Sequence, residues 1–307
     1  MNPLFANKID SIKTNEDVVA LISKLYQEKY NETYYIFSIE KPDSVCQDFI
    51  CDSTIAKWDI KKWQKLDFNH DTLTDLFAIL YMRNRNDKGA GYVIYTVIDN
   101  GDNTFSLQNL PDYFLPDCYA AIPIHIDENP FLLYRHYNLE YTIDALFDDV
   151  PNRDNIHYYQ IAKTDTLIYK YGGFIELNTG QFSPPVKSIF FETTLCFGSC
   201  PVFKLNILED RTAYYLADMY NNRQGNFRTT IRAKELREIL DLIKYLNIPA
   251  LKNNYEVHAT DLPSSTIKIY FFDGSRKEIR DYGLQGTLGL VRLYRLLFAL
   301  RDNQNWK

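Results

Sequence analysis

The chain reads as an α+β protein of two domains, and three observations in its 307 residues lead there. It is longer than one small core needs, and 46% of it is hydrophobic, with 24 Tyr and 19 Phe, so a sizeable interior can be buried. Its charge is split: residues 187–307 hold 18 Lys and Arg against 13 Asp and Glu, an excess of +5, so the overall −6 leaves −11 on residues 1–186. Most patterned segments are short β-branched and aromatic runs, and few have a helical period. These observations place an acidic, β-rich α+β domain at residues 1–178, a linker at 179–186 and a second domain at 187–307.

In the first domain, Thr14-Asn15-Glu16-Asp17 is a helix start, with Thr14 as N-cap and Asp17 three residues on. Val18, Leu21, Ile22, Leu25 and Tyr26 continue it at helical spacing to about Tyr30. Thr33–Glu40 reads as a strand, and Pro42–Ser53 as a loop. Alternation resumes at Ile55, and Leu73–Arg83 is a buried strand. The run AGYVIYTVIDNGDNTFSLQNL is a strand, a polar turn and a return strand. YAAIPIHID and PFLLYRHYN form a further pair, with Pro123 placing the first at a sheet edge. Thr142–Phe147 is expected as a short helix, and IHYYQIAKTDTLIYKYGGFIELN as one or two strands. Gly180 and the Pro184-Pro185 pair mark the linker.

The second domain is more regular. SIFFETT, PVFKLNILE, TAYYLA and NFRTTIR read as four strands. Ala233–Leu246 is a helix with one apolar stripe, ended by Pro249. STIKIYFFDGSRKEIRDYG is a hairpin across Asp273-Gly274, and Leu288–Leu300 is an apolar helix. The order ββββ-α-ββ-α implies a mainly antiparallel sheet with two helices on one face.

Composition removes several function classes. No run of about 18 apolar residues occurs, so no transmembrane helix is expected. MNPLFANKID lacks the basic start and apolar stretch of a signal peptide, which implies a cytoplasmic chain, or an exported or periplasmic one whose signal has been removed. The mild basicity of the second half lacks the clustering that nucleic acid requires. Five cysteines are too few for a disulfide framework: Cys46 with Cys51 and Cys196 with Cys200 are candidate pairs, Cys118 is left single, and all five could be free thiols. The five histidines show no paired ligand spacing, and there is no Gly-rich phosphate loop and no G-x-S-x-G.

Two stretches carry candidate chemistry. In Asp67-Phe68-Asn69-His70-Asp71-Thr72-Leu73-Thr74-Asp75, the side chains of Asp67, Asn69, Asp71 and Asp75 put oxygens at positions one, three, five and nine. A hard cation such as calcium takes several oxygens from one short loop in this way. It is not an EF-hand, because position twelve is Ala78 and position six is Thr72. The loop resembles the D-x-[DN]-x-D-G-x-x-D calcium loops of FG-GAP and integrin-like repeats, which implies a structural calcium ion held by Asp67, Asn69, Asp71 and Asp75. The other reading is an Asp/Asn-rich turn held by its own hydrogen bonds.

The second stretch is Leu195-Cys196-Phe197-Gly198-Ser199-Cys200-Pro201. Pro201 disfavours a helix at Cys200, and three residues rather than two stand between the cysteines, so this is not a thioredoxin-type start. A disulfide clamp, two buried thiols, and a redox or nucleophilic pair using His258 near Asp261 as base all remain open. Arg292, Arg295 and Arg301, and Arg276, Lys277 and Arg280, are two basic groups that read either as an anion patch or as snorkelling side chains.

The series Cys196–Phe203, Thr260–Pro263 and Ile279–Gly283, with an apolar helix ending near Trp306, resembles an uncharacterised bacterial domain family marked by C-F-G-x-C-P and common in Bacteroidota. Many of its members are exported or lipid-anchored, so the resemblance favours a Cys196–Cys200 disulfide; it implies no activity. With no assembled nucleophile and base, no cofactor loop and no catalytic ligand set in the sequence, the expected function is non-catalytic binding, with protein as the partner. The alternative is a thiol-dependent enzyme, redox or hydrolytic, using Cys196 or Cys200.

Overall fold

The computed structural model describes residues 8–40, 57–85, 90–110, 119–143, 156–180, 182–257 and 259–307. It divides into two compact units, Met1–Lys170 and Tyr171–Lys307. The architecture is α+β, with mostly antiparallel sheets and three helices among the described residues.

The first unit opens with α1 (Asn15–Tyr30). Thr14 Oγ1 accepts from Asp17 N, and Asp17 accepts in return from Thr14 N, a complete capping box. The helix lays Val18, Leu21, Ile22 and Leu25 against a sheet of β1 (Tyr35–Ser38), β2 (Trp63–Leu66), β3 (Asp75–Asn84), β4 (Ala90–Asp99) and β5 (Phe105–Leu110). β1 and β2 share one edge of β3: β2 pairs its start, at Asp75–Ala78, and β1 its end, at Tyr81–Asn84. Seven consecutive buried residues open β3, so both faces of this strand are covered, as an uninterrupted apolar run requires. α1 covers the face of Leu76, Ala78 and Leu80.

A second sheet of the unit runs β6 (Tyr119–Ile126), β7 (Asn129–Ile143) and β8 (Ile156–Lys170), with β6, which contains Pro123, at its edge. The short helix expected at Thr142–Phe147 is not found where the chain is described. Thr142 and Ile143 instead pair with His157 and Ile156 on β8. A partner strand decided this segment over its local pattern. Residues 144–147 lie outside the described residues.

The second unit begins with β9 (Gly173–Glu176). Its main sheet has the order β13 (Gly225–Thr230), β12 (Thr212–Ala217), β11 (Phe203–Leu208), β10 (Val186–Thr193), β15 (Ser264–Phe271), β16 (Arg276–Tyr282), β14 (Asn254–Tyr255). All neighbours are antiparallel except β14 with β16. This is the ββββ-α-ββ-α order, with β14 as a short addition too brief to read from sequence. α2 (Ala233–Tyr245) and α3 (Leu288–Asn303) cover one face. The core alternates along each strand, through Ile189 and Phe191, Phe203 and Leu205, Ile267 and Ile269. α3 brings Tyr294 onto Phe191 at 5.6 Å between ring centroids and Phe298 onto Phe203 at 5.0 Å.

Two contacts tie the segment before β10 into this unit. Glu176 accepts from Leu288 N and Gly289 N at 2.7 and 2.9 Å, a carboxylate at the positive end of α3. Ser183, in the stretch expected as the linker, is buried; it donates to Ile243 O and accepts from Ile248 N. A Cβ on Gly289 would stand 2.2 Å from Leu246 Cδ2, so a larger residue there requires the Leu246 side chain to move.

Candidate functional site

The Cys196–Cys200 loop joins β10 to β11 in the centre of the second unit's sheet. Its base is fixed by hydrogen bonds: Thr193 Oγ1 donates to Pro201 O at 2.7 Å and accepts from Phe203 N at 3.2 Å. Thr194 N donates to Ser264 O, and Thr194 Oγ1 accepts from Ser264 N. Its tip is fixed by Phe197 N donating to Asp261 O at 2.9 Å and Gly198 N donating to Cys196 O at 2.9 Å. Gly198 takes φ 153°, a region L side chains rarely enter. The two sulfurs stand at bonding distance with their Cα atoms 5.7 Å apart, inside the range a disulfide spans.

This pinned loop leaves Phe197 90% exposed and Leu195 48% exposed. A Phe side chain is normally buried, so a rigid backbone holding one in water is unusual. Of the base suggested from sequence, Asp261 is brought to the loop through its carbonyl, while His258 lies outside the described residues. Cys46, Cys51 and Cys118 also lie outside them.

The Asp67–Asp75 loop leads into β3. Asp67 accepts from Asp71 N and Thr72 N, Asn69 from Asp71 N, and Asp71 from Leu73 N. The loop thus closes through its own side chains. Asp75 is fully buried and accepts from Phe68 N at 2.8 Å and Asp99 N at 2.9 Å. Burial, with added repulsion from Asp71 and Asp67, pushes its carboxyl up to about 7 despite those two bonds. Among the described residues, no group of three or more His, Cys, Asp or Glu is arranged to hold a metal ion. The donor set itself, three carboxylates and the Asn69 amide oxygen, is all oxygen and suits a hard cation. Thr72 takes φ 72° at the position where the resembled loops carry Gly.

One buried carboxylate has no role in the sequence reading. Asp281, at the end of β16, is fully buried and accepts from Gln285 N and Gly286 N at 3.0 and 2.9 Å. The hydroxyls of Ser265 and Tyr294 are buried without hydrogen-bond geometry of their own, and Tyr294 lies close enough to favour the ionised carboxylate. Burial dominates and raises the Asp281 carboxyl. A signal was available: Asp281 is in phase with Ile279, the buried residue two before it.

The two basic groups separate. Arg292 pairs with Glu238 at 3.3 Å, and Arg301 lies over Phe203 and Phe298 at 4.9 and 5.1 Å, so both act as rims of the α3 packing. Lys277 donates to Pro249 O, while Arg276 and Arg280 extend from the opposite, open face of the sheet.

Residues 187–301 match the family model described as Domain of unknown function (DUF6438). The second half is therefore similar to a domain family without an assigned activity. No curated protein and no solved structure matches the chain. No described helix is long and apolar enough to cross a membrane.

Proposed function

We propose that this is a non-catalytic binding protein that uses the Cys196–Cys200 loop, clamped as a disulfide, as a contact point for a protein partner. The observation that carries the reading is Phe197, 90% exposed on a backbone fixed at its base and its tip. Burying such a side chain against a partner is worth roughly 1.5–3 kcal/mol, and the fixed loop loses little entropy on docking. A thiol enzyme would instead need a free thiolate within hydrogen-bond reach of a base. The test uses wild-type protein and Phe197→Ser as bait in extracts of the producing cells. The variant should keep its melting temperature and lose at least one captured protein. An unchanged set of captured proteins ends the contact-point reading. Turnover of a disulfide or ester substrate that disappears in Cys200→Ser would favour the enzyme.

A second reading concerns the first unit: the Asp67–Asp75 loop takes a structural calcium ion through Asp67, Asn69, Asp71 and Asp75. It is supported by the repulsion that Asp67 and Asp71 exert on buried Asp75, which a cation would relieve. Calcium would supply charge and oxygen coordination only. Melting temperature should rise on adding millimolar calcium and fail to rise in Asp71→Ala. No calcium response in the wild type removes this reading.

A further inference from the structure

The face of the second unit's sheet opposite α2 and α3 is not covered by the described residues of that unit, and its chemistry follows from strand register. One row across it runs Arg228, Tyr214, Asn206, Phe190, Lys268 and Glu278 on adjacent strands. The next row contains Lys204, Glu192 and Arg280, and a third pairs Tyr270 with Arg276. The two acids of this face are neutralised by their neighbours: Glu192 by Lys204 and Glu278 by Lys268, each at 3.2 Å. Arg276 and Arg280 have no acidic partner among the described residues, and both are exposed. Tyr214 and Tyr270 are 44% and 39% exposed on the same face, Tyr214 beneath the Arg228 guanidinium at 5.6 Å.

We infer that this face docks an extended acidic polypeptide segment that carries aromatic residues. Charge complementarity selects the occupant. The face has unpaired guanidinium groups four residues apart on β16, about 13 Å along a strand, which two carboxylates of an extended peptide can match in forked geometry. Tyr270 beside Arg276, and Tyr214 beside Arg228 on the far side of the sheet, offer rigid amphipathic area to apolar or aromatic side chains. A second copy of the same face would bring like charges together. The inference concerns a surface separate from the Cys196–Cys200 loop and stands without that reading.

The experiment is fluorescence anisotropy of the full chain with a labelled Glu/Tyr copolymer, with oligo(dT) of similar length as competitor. Binding should weaken at least about tenfold in Arg276→Glu/Arg280→Glu and in the milder Arg276→Gln/Arg280→Gln, both checked for an unchanged melting temperature, and should fall with added salt. Arg237→Glu, at an exposed position of α2 on the other face, should bind as wild type. Absence of copolymer binding at low salt, or binding that survives both double variants, overturns the inference. Displacement of the copolymer by oligo(dT) at lower concentration overturns the choice of partner and makes the face a nucleic-acid surface.

Discussion

Asp75 stands at the start of β3 and Asp281 near the end of β16. Each is fully buried, each accepts two backbone N–H groups, and in each burial raises the carboxyl. Their surroundings differ. Asp75 faces the charges of Asp71 and Asp67, which raise it further, to about 7. Asp281 faces the Tyr294 hydroxyl, which opposes its rise. The same device therefore completes one loop and leaves the other electrostatically strained. Burial and hydrogen-bond count alone do not separate a structural carboxylate from one in a candidate cation loop; the sign of the neighbours does.

Removing both carboxylates in turn is the strongest way to break the comparison. Asp75→Ala leaves the Phe68 and Asp99 amides without acceptors in a buried site and should cost about 3–4 kcal/mol in urea unfolding. Asp281→Ala exposes half-buried amides that water can reach, and should cost about 2 kcal/mol. Equal losses would mean that burial of the amides does not set the difference. The Cys196–Cys200 bond, which closes a short loop, should add about 2 kcal/mol to the second unit on the loop-entropy account. Unfolding with and without reductant, compared with Cys196→Ser/Cys200→Ser, measures it.

A pH series sharpens the electrostatic half of the comparison. Because Asp75 holds its proton up to about 7 when folded, against 3.8 when unfolded, the folded state binds more protons between those values. Stability from this group is therefore present at low pH, is lost as pH rises through that window, and levels off above it. In calcium-free buffer, Asp75→Asn should flatten this part of the wild-type profile. A profile that rises through the window in the wild type and is unaltered by the substitution would falsify the assignment.

Particular residues show how much of this was legible. Thr14 and Asp17 announced α1 because a capping box is local, and both of its bonds form. The second unit's ββββ-α-ββ-α succession was readable because its core positions alternate cleanly along β10, β11 and β15. Thr142 and Ile143 misled because the long ribbon of β7 with β8 is decided by a partner strand, not by local propensity. Glu176 could not be read as the cap of α3 because 112 residues separate it from Leu288. Of the candidate sites, sequence read Asp67–Asp75 as an oxygen-rich loop running into a strand, and left the cysteine stretch open between a disulfide clamp, two buried thiols and a redox pair. It missed Asp281, since one Asp in a charged strand reads as solvent-facing unless its phase with Ile279 is followed.

The smallest expected effect tests the strain within the first loop. Thr72 holds φ 72°, where a β-branched side chain meets its own backbone, at a cost of order 1–3 kcal/mol. Its amide donates to Asp67 Oδ2 at 2.9 Å, so the conformation is imposed by the closure of the loop. Thr72→Gly removes the steric cost but gives the unfolded chain more freedom, which takes back about 0.5–1 kcal/mol. The net gain should be a few tenths to about 1 kcal/mol in calcium-free urea unfolding. The Asp281 turn carries left-handed residues too, Gly283 at φ 91° and Leu284 at φ 56°, so backbone strain of this kind does not by itself separate the two turns. If Thr72→Gly destabilises, the left-handed turn is not a source of strain, and the tension in this loop is electrostatic alone.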